Sequence, residues 1–411
     1  MKSRLSCLLL VIVIAIPLFI CGEYSLVVKD KTDCFSTEYT WTAALVGGIY
    51  ELKPLYYLST YREIMGSNAR PLYFKVLSED NGYDEIDVIG TEEVFGFAPY
   101  SAYVIIDSLH IISALNGWYD AGTNATIHRY IGTWEYSEDY TALTMLDTLR
   151  YDSNTIVGSA YMVDIVSIDS SHYVSVCPGA DGITNNYGTI NTFEIDGLYN
   201  ITEIDSLNID PYDAVNVKIK KVNDNVYVVP YVQIIAGVWR GVIKTFWIDE
   251  YCEITQIDSL YHSGSTRDME IATIDSNNYV ISYITPLELN KIKTFNVDNE
   301  GNIAISDEYT SEAGTRWTRS ELIVSGGILI QEISAINDPP YDPYLFAYSL
   351  DGGSNIERIG YCLSNTASGS DSPSCLYLSK NDTFFIPYNK YLARIIFKDH
   401  MKKLKMVNAE E

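Results

Sequence analysis

The sequence predicts an all-β chain built from seven copies of one four-stranded antiparallel unit. Three observations carry this: a strand–turn–strand motif that recurs along the chain, a tight-turn signal upstream of each copy, and central strands that are apolar on both faces. The motif is plainest at 242–260, VIKTFWIDEYCEITQIDSL. It returns as TINTFEIDGLYNITEIDSL at 189–207 and as KIKTFNVDNEGNIAISDEY at 291–309. Each copy is an apolar strand ending in Asp, a short polar turn and a second strand.

Taking the aromatic or apolar anchor of the first strand of each copy gives Phe74, Tyr130, Phe193, Phe246, Phe295, Tyr348 and Ile395, at spacings of 47 to 63 residues. The middle three copies are plain, and the first, second and seventh are degenerate. Upstream of each anchor lies a hairpin signal. Ile168-Asp169-Ser170-Ser171-His172-Tyr173-Val174 matches 274–280, IDSNNYV, with looser versions at 222–228, 45–50, 324–329 and 378–384. Asp, Asn and Gly at these turns accept positive φ or bond back to the backbone, as tight hairpins require. The unit is therefore four strands: a first and second joined by a tight turn, then a loop, then a third and fourth joined by a short turn.

Strands such as 227–231 and 243–248 are apolar on both faces, or nearly so. An antiparallel strand usually shows water one face, so two buried faces require sheets stacked on both sides. Radial stacking of four-stranded blades supplies this, and seven units predict a seven-bladed β-propeller over residues 23–411. An array of β-sandwiches is the competing architecture, but it wants linkers between units, and none is visible. The pattern resembles β-propeller repeat proteins of the exported, surface-associated kind over nearly all of that span. The likeness is one of pattern: the GH…WD pairs of WD repeats and the Asp boxes of sialidases are missing, so it implies a fold and no specific activity. The strand-like segment 24–29, YSLVVK, lies outside the seven units. It is expected to close the ring by pairing near 393–398 or 403–407, or else to be a free leader.

The N-terminus reads as an export address. Lys2 and Arg4 precede an apolar run at 8–20 that is short for a bilayer span, and cleavage is expected after Cys21 or Gly22. Lipidation at Cys21, or retention as a short anchor, are the alternatives, and the membrane is expected as a partner only through this segment. The chain carries 54 acidic and 28 basic residues, for a formal charge of −26. Without Lys2 and Arg4 the balance is 26 − 54 = −28. Such a chain repels phosphate backbones, which excludes nucleic acid as an expected partner. Beyond Cys7 and Cys21 the five cysteines are scattered, with no CxxC pair. Cys362 and Cys375 flank one loop and are a candidate disulfide. Asn124, Asn200 and Asn381 stand in glycosylation sequons.

In a unit of this kind the first–second and third–fourth turns share one end, and the second–third loops and inter-unit connections share the other. The first set is short. The second is expected to be long, at 59–70, 116–124, 178–188, 233–241 and 335–343, and long loops on a rigid scaffold are where binding usually sits. That end is expected to bind through Arg62, Trp118, Tyr119, Asp120, Trp239, Arg240, Arg316, Trp317, Arg319, Tyr341 and Asp342. Trp and Tyr offer flat area for sugar rings, and Arg offers a directional clamp for carboxylates. Trp134 and Trp247 fall inside strands and are expected in the core.

No HExxH, metal-like histidine spacing, GxSxG elbow or dinucleotide fingerprint occurs, and no cofactor, metal or catalytic residue is expected. His262 is placed on the loop end and expected to be solvent-exposed. Asp107, Asp169, Asp224 and Asp275 recur at the first–second turns and read as turn chemistry rather than ligands. The run 298–302, DNEGN, reads as a hairpin, since it lacks the alternating spacing of a calcium loop. The leading expectation is an exported, non-enzymatic binder of a surface glycan or protein. The alternatives are a carbohydrate-active enzyme using carboxylates such as Asp120, Asp268 or Asp342, and a structural part of a cell-envelope assembly.

Overall fold

The computed structural model describes residues 45–53, 56–62, 72–79, 86–95, 100–119, 126–151, 163–179, 187–264, 266–285, 289–314, 321–325, 327–334, 343–351, 355–363, 377–379, 383–388, 391–398 and 403–406. These residues form an all-β structure of antiparallel sheets, each a meander in which consecutive strands are neighbours. Sheet one holds β1 (Leu45–Lys53), β2 (Tyr56–Arg62), β3 (Leu72–Glu79) and β4 (Ile86–Phe95). Sheet two holds β5 (Tyr100–Ile105), β6 (His110–Tyr119), β7 (Thr126–Tyr136) and β8 (Leu143–Arg150). Sheet three holds β9 (Asp164–Ser167), β10 (His172–Cys177), β11 (Thr189–Ile195) and β12 (Ile201–Asn208).

Sheet four has its first strand in two pieces, β13 (Asp213–Val215) and β14 (Lys220–Lys221), followed by β15 (Val226–Ile235), β16 (Val238–Ile248) and β17 (Ile254–Ser263). Sheet five holds β18 (Arg267–Thr273), β19 (Asn278–Ile284), β20 (Leu289–Val297) and β21 (Ile303–Gly314). Sheet six holds β22 (Glu321–Ser325), β23 (Ile328–Ser334), β24 (Pro343–Asp351) and β25 (Asn355–Leu363). Sheet seven holds β26 (Tyr377–Ser379), β27 (Thr383–Tyr388), β28 (Tyr391–Lys398) and β29 (Lys403–Met406).

The break in sheet four follows from Pro230 in β15. A proline has no N–H to give the ladder, and β13 and β14 pair with β15 on either side of it. Between them Asn216 takes φ 52°, and Lys218 N donates to the Pro230 carbonyl at 3.2 Å.

Apolar seams join consecutive sheets. Val174, Val176 and Ile190 of sheet three pack on Tyr227, Val242 and Phe246 of sheet four. Val228, Val232 and Ile243, on the other face of sheet four, pack on Ile271, Tyr279 and Phe295 of sheet five. Two more such cores lie between sheets two and three and between five and six. That is why β15 is buried without interruption from Val226 to Gln233: both its faces are covered. The first strands of neighbouring sheets lie side by side, β5 between β1 and β9 and β18 beside β22, and β1 also lies beside β26.

The anchors Phe193, Phe246, Phe295 and Tyr348 are fully buried on the third strands, each just past a register shift against the fourth strand. In sheet two that place belongs to Trp134 rather than Tyr130. In sheet one there are two shifts, at Leu72/Tyr73 and at Val76/Leu77, one on either side of Phe74. With Trp134 in place of Tyr130, the first two spacings become 134 − 74 = 60 and 193 − 134 = 59 residues, more even than the 56 and 63 that Tyr130 gives. Trp134 is in the core as expected, with Nε1 donating to Ser113 Oγ at 2.7 Å. Trp247 is not: it is 41% exposed. It stands one residue after the anchor Phe246, so the two-residue period of a strand turns it to the opposite face.

Segment 24–29 lies outside the described residues. The fourth strand of sheet seven is β29, from the C-terminal side of the chain.

Candidate binding face

The two ends of the sheets are chemically different. At the first–second turns, Asp107, Asp169 and Asp275 each accept the backbone N–H groups two and three residues on, at 2.8–3.0 Å. In sheet four the role belongs to Asn223, with Asp224 left outward as a 3.4 Å partner of Lys221. At the third–fourth turns Asp196, Asp249 and Asp298 do the same work around a residue of positive φ: Tyr199, Cys252 and Gly301. The 298–302 run is thus a hairpin, as its sequence implies. Burial alone would raise the Asp107, Asp169 and Asp275 carboxyls, but the donated hydrogen bonds outweigh it and hold them below the usual range. For Asp196 and Asp298 the Asn200 and Asn302 side chains lead the lowering.

The same turns are gripped by the preceding sheet. Thr133, Thr192 and Thr245, all buried on third strands, donate to the carbonyls of Tyr199, Cys252 and Gly301 at 2.6–2.8 Å. Directly across on the fourth strands, Asp147, Asp205, Asp258 and Asp307 accept N–H from Ile201, Ile254, Ile303 and Ile356 of the next sheet at 2.8–3.1 Å. Asp147, Asp205, Asp258 and Asp307 are therefore inter-sheet ties. Their signal was present in the sequence as a recurring Asp, but its partner lies in the next repeat, where no local reading looks.

At the opposite end, sheet four projects a hairpin. β15 and β16 stay paired up to Ile235 and Val238, so the turn is only Ala236-Gly237, with φ 49° and 77°. Two residues of positive φ are the requirement of a two-residue hairpin whose twist matches its strands. The long loop expected at 233–241 is thus a correction: its apolar residues continue the strand ladder instead. Trp239 pairs with Ile234 and Arg240 with Gln233. Trp239 is half-buried against the core between sheets four and five, and Arg240 is half-buried too. Around them Val238, Tyr212 and Tyr261 are exposed at 44%, 47% and 59%.

Beneath this end lie polar clasps that the sequence reading missed. Asp210 is buried, accepts from Tyr231 Oη and Gln233 Nε2, and lies 3.4 Å from Lys244, whose ammonium donates to the Ile209 carbonyl at 2.7 Å. One sheet on, Lys293 donates to the His262 carbonyl at 2.7 Å and pairs with Glu308 at 2.7 Å, while Tyr283 Oη donates to Glu308 at 3.2 Å. Each lysine also stands over the tyrosine ring of its own sheet, 5.9 and 5.7 Å from the centroids. A lysine and a tyrosine four residues after the second-strand Tyr recur at one repeat spacing, which is the trace an alignment of the two copies shows. His262, expected to be exposed, is 8% exposed and sealed between β16 and sheet five. Burial, then the nearby Lys293, push its imidazole down to about 3.

Of the other candidates, Arg62 ends β2, and Trp118 and Tyr119 end β6, opposite Ile127 and Thr126. Their side chains lie outside the described set. So do Asp120, Arg316, Trp317, Arg319, Tyr341, Asp342, Cys375, Asn124 and Asn381 entirely. Cys362 is on β25, and Asn200 is exposed in its turn with Nδ2 donating to Asp196. Among the described residues no three His, Cys, Asp or Glu converge as metal ligands.

No family model and no curated protein matches the chain. Solved structures do. The crystal structure of a protein from Lactobacillus plantarum superposes with a TM-score of 0.56 at 11% identity, over 89% of this chain and 95% of that one. Sqt1 from Chaetomium thermophilum, a WD40 β-propeller protein, superposes at 0.51 and 10% identity, over 89% of this chain and 85% of its own. At such identities the likeness speaks of fold alone, and the fold it supports is β-propeller-like.

Proposed function

We propose that the seven sheets are the blades of one closed β-propeller, that the chain is exported by its first 22 residues, and that the loop end binds a surface glycan or protein partner without catalysing a reaction. Adjacent first strands, with β1 lying beside both β5 and β26, support the ring. One observation carries the binding reading. The end of sheet four offers Val238, Tyr212 and Tyr261 to solvent beside half-buried Trp239 and Arg240, on a rigid two-residue hairpin. A preformed aromatic ledge with a guanidinium at its edge loses little entropy on binding a flat ring or a carboxylate. The turn aspartates Asp169, Asp196, Asp249 and Asp298 of the opposite end, by contrast, are engaged by backbone N–H groups.

A glycan-array screen of residues 23–411, with Trp239→Ala and Trp317→Ala beside it, tests the reading. Binding weakened at least tenfold by either change is the expected result. Binding that neither change alters would place the site elsewhere, and a released sugar product would replace binding with catalysis.

A further inference from the structure

His262 occupies a slot that its fold does not need a histidine to fill. In the preceding seam the same position, four residues after Asp205 as His262 is four after Asp258, is Ile209, fully buried. The surroundings correspond: Lys244 donates to the Ile209 carbonyl as Lys293 donates to that of His262, each at 2.7 Å. Gly188, whose carbonyl accepts from Ile209 N, corresponds to Gly241 beside His262. An aliphatic side chain therefore satisfies the packing. The imidazole instead brings two ring nitrogens into the seam, and among the described residues neither Nδ1 nor Nε2 has a hydrogen-bond partner, nor does the adjacent, fully buried Thr266 Oγ1. Buried polar atoms left unpaired are rare and costly, so a residue that keeps them has some use for the ring.

The ring is also mechanically connected to the hairpin above it. Any Cβ at Gly241 of β16 would collide with His262 Nε2 and stand 2.7 Å from Thr266 Oγ1, so the ring is seated directly on the β16 backbone. Thr266 N donates to the Trp239 carbonyl at 3.2 Å. Tyr283 closes the far side, edge-on at 4.9 Å between ring centroids and 70° between planes.

We propose that His262 is a proton-operated catch: neutral, it locks the upper end of β16 and β17 to sheet five, and once protonated it must leave the seam and release the Val238–Arg240 hairpin. Among the described residues, the charged groups facing the ring are Lys293 from β20 and Glu308 from β21, and Tyr283 from β19 is the titratable group opposite. Burial would raise Glu308, but Lys291 and Lys293 outweigh it and hold the carboxylate at about 2, so it stays charged through the working range. Its charge is already divided between those two lysines. An imidazolium would add a third cation beside Lys293, and among the described residues the unpartnered polar atom next to it is the uncharged Thr266 Oγ1, which offers it no countercharge.

The sign follows from linkage. The seated ring takes a proton only near pH 3, whereas a ring released to water takes one near its ordinary 6.5. The closed seam is therefore fully favoured above about pH 6.5 and loses ground as pH falls towards 3. The open-to-closed ratio approaches a tenfold rise per pH unit within that window and rises about 50-fold between pH 6.5 and 4.5.

The mechanical part stands on the seam alone; its effect on ligand release rests on the binding reading above. Amide hydrogen exchange followed by mass spectrometry, corrected for the intrinsic pH dependence of exchange, measures the seam without any ligand. For the full chain, opening of the segments 238–243 and 261–268 is expected to increase about 50-fold from pH 6.5 to 4.5, with the Ile209 seam at 205–213 as the unchanging internal reference. His262→Ile, which copies the reference seam, should remain closed at both pH values. Gly241→Ala should open the same segments already at pH 6.5 by driving the ring out. An equal pH response in His262→Ile, or a response no larger than that of 205–213, would overturn the proposal. A binding screen that finds no ligand would sink the binding reading and leave this measurement standing.

Discussion

Thr245 and Asp258 face each other across β16 and β17 and together hold the Gly301–Ile303 turn of sheet five. Removing Asp258 as Ala strands the Ile303 N–H, and about 1–3 kcal/mol of stability is expected to go with it in urea unfolding. Thr245→Val keeps the volume and loses one hydrogen bond, for about 1 kcal/mol, and because the two ties share one turn their effects should couple in a double-mutant cycle. The neighbouring aromatic pair separates position from residue type. Phe246→Ala should cost about 3–5 kcal/mol through the cavity it leaves, while Trp247→Thr on the exposed face should stay within about 0.5 kcal/mol. Sequence alone marked Phe246 correctly because its repeat is undisturbed. It misplaced Trp247, which as the next residue of β16 turns to the opposite side of the strand and reaches water. His262 was misread for a similar reason: polarity suggests water, and only the packing of β16 against sheet five shows the room it fills.

At the scale of a hairpin, two glycines of positive φ face different neighbourhoods. Gly237, at φ 77°, has nothing within 4 Å of where a Cβ would stand, so Gly237→Ala should cost only backbone strain, about 1 kcal/mol. Gly301, at φ 89°, would put that carbon 2.5 Å from Ile257 Cδ1 of the neighbouring sheet. Gly301→Ala should therefore cost clearly more than Gly237→Ala, and paired thermal melts compare them directly. The tight turns were legible because Asp, Asn and Gly state their backbone geometry locally. The reach of β15 and β16 was not. Gln233 and Arg240 look like loop residues, yet they are partners in the ladder, with Gln233 buried against Asp210. Likewise the split of β13 from β14 was announced by Pro230, but on the strand opposite.

Across the molecule, the repeat made the four-stranded units readable, because each unit must bury two faces against others like itself. What joins unit to unit was less visible, since every tie spans about one repeat length of chain. The charge balance acts at this scale as well. A formal charge of −26 repels itself in the compact state, so raising NaCl from 10 to 150 mM should raise the urea midpoint; an unchanged or lower midpoint would show that the acids are already neutralised by local partners. Acid acts differently on the two kinds of group. The lowered Glu308 contributes stability above its ordinary pKa and keeps contributing until pH falls through about 2. Neutral His262 weakens its seam from about pH 6.5 downward, so early acid sensitivity should disappear in His262→Ile while late acid sensitivity remains.

Among the described residues the threonine and aspartate ties point the same way, from sheets two to five into the sheet that follows in sequence. The assembly thus has a grain, and its two directions of truncation are unequal. A fragment ending at Ser263 carries dangling hooks, Thr245 and Asp258, with no turn to catch. One beginning at Arg267 carries a turn waiting to be caught. During synthesis the emerging chain presents hooks first, so each completed sheet is primed to capture its successor as soon as that successor clears the ribosome.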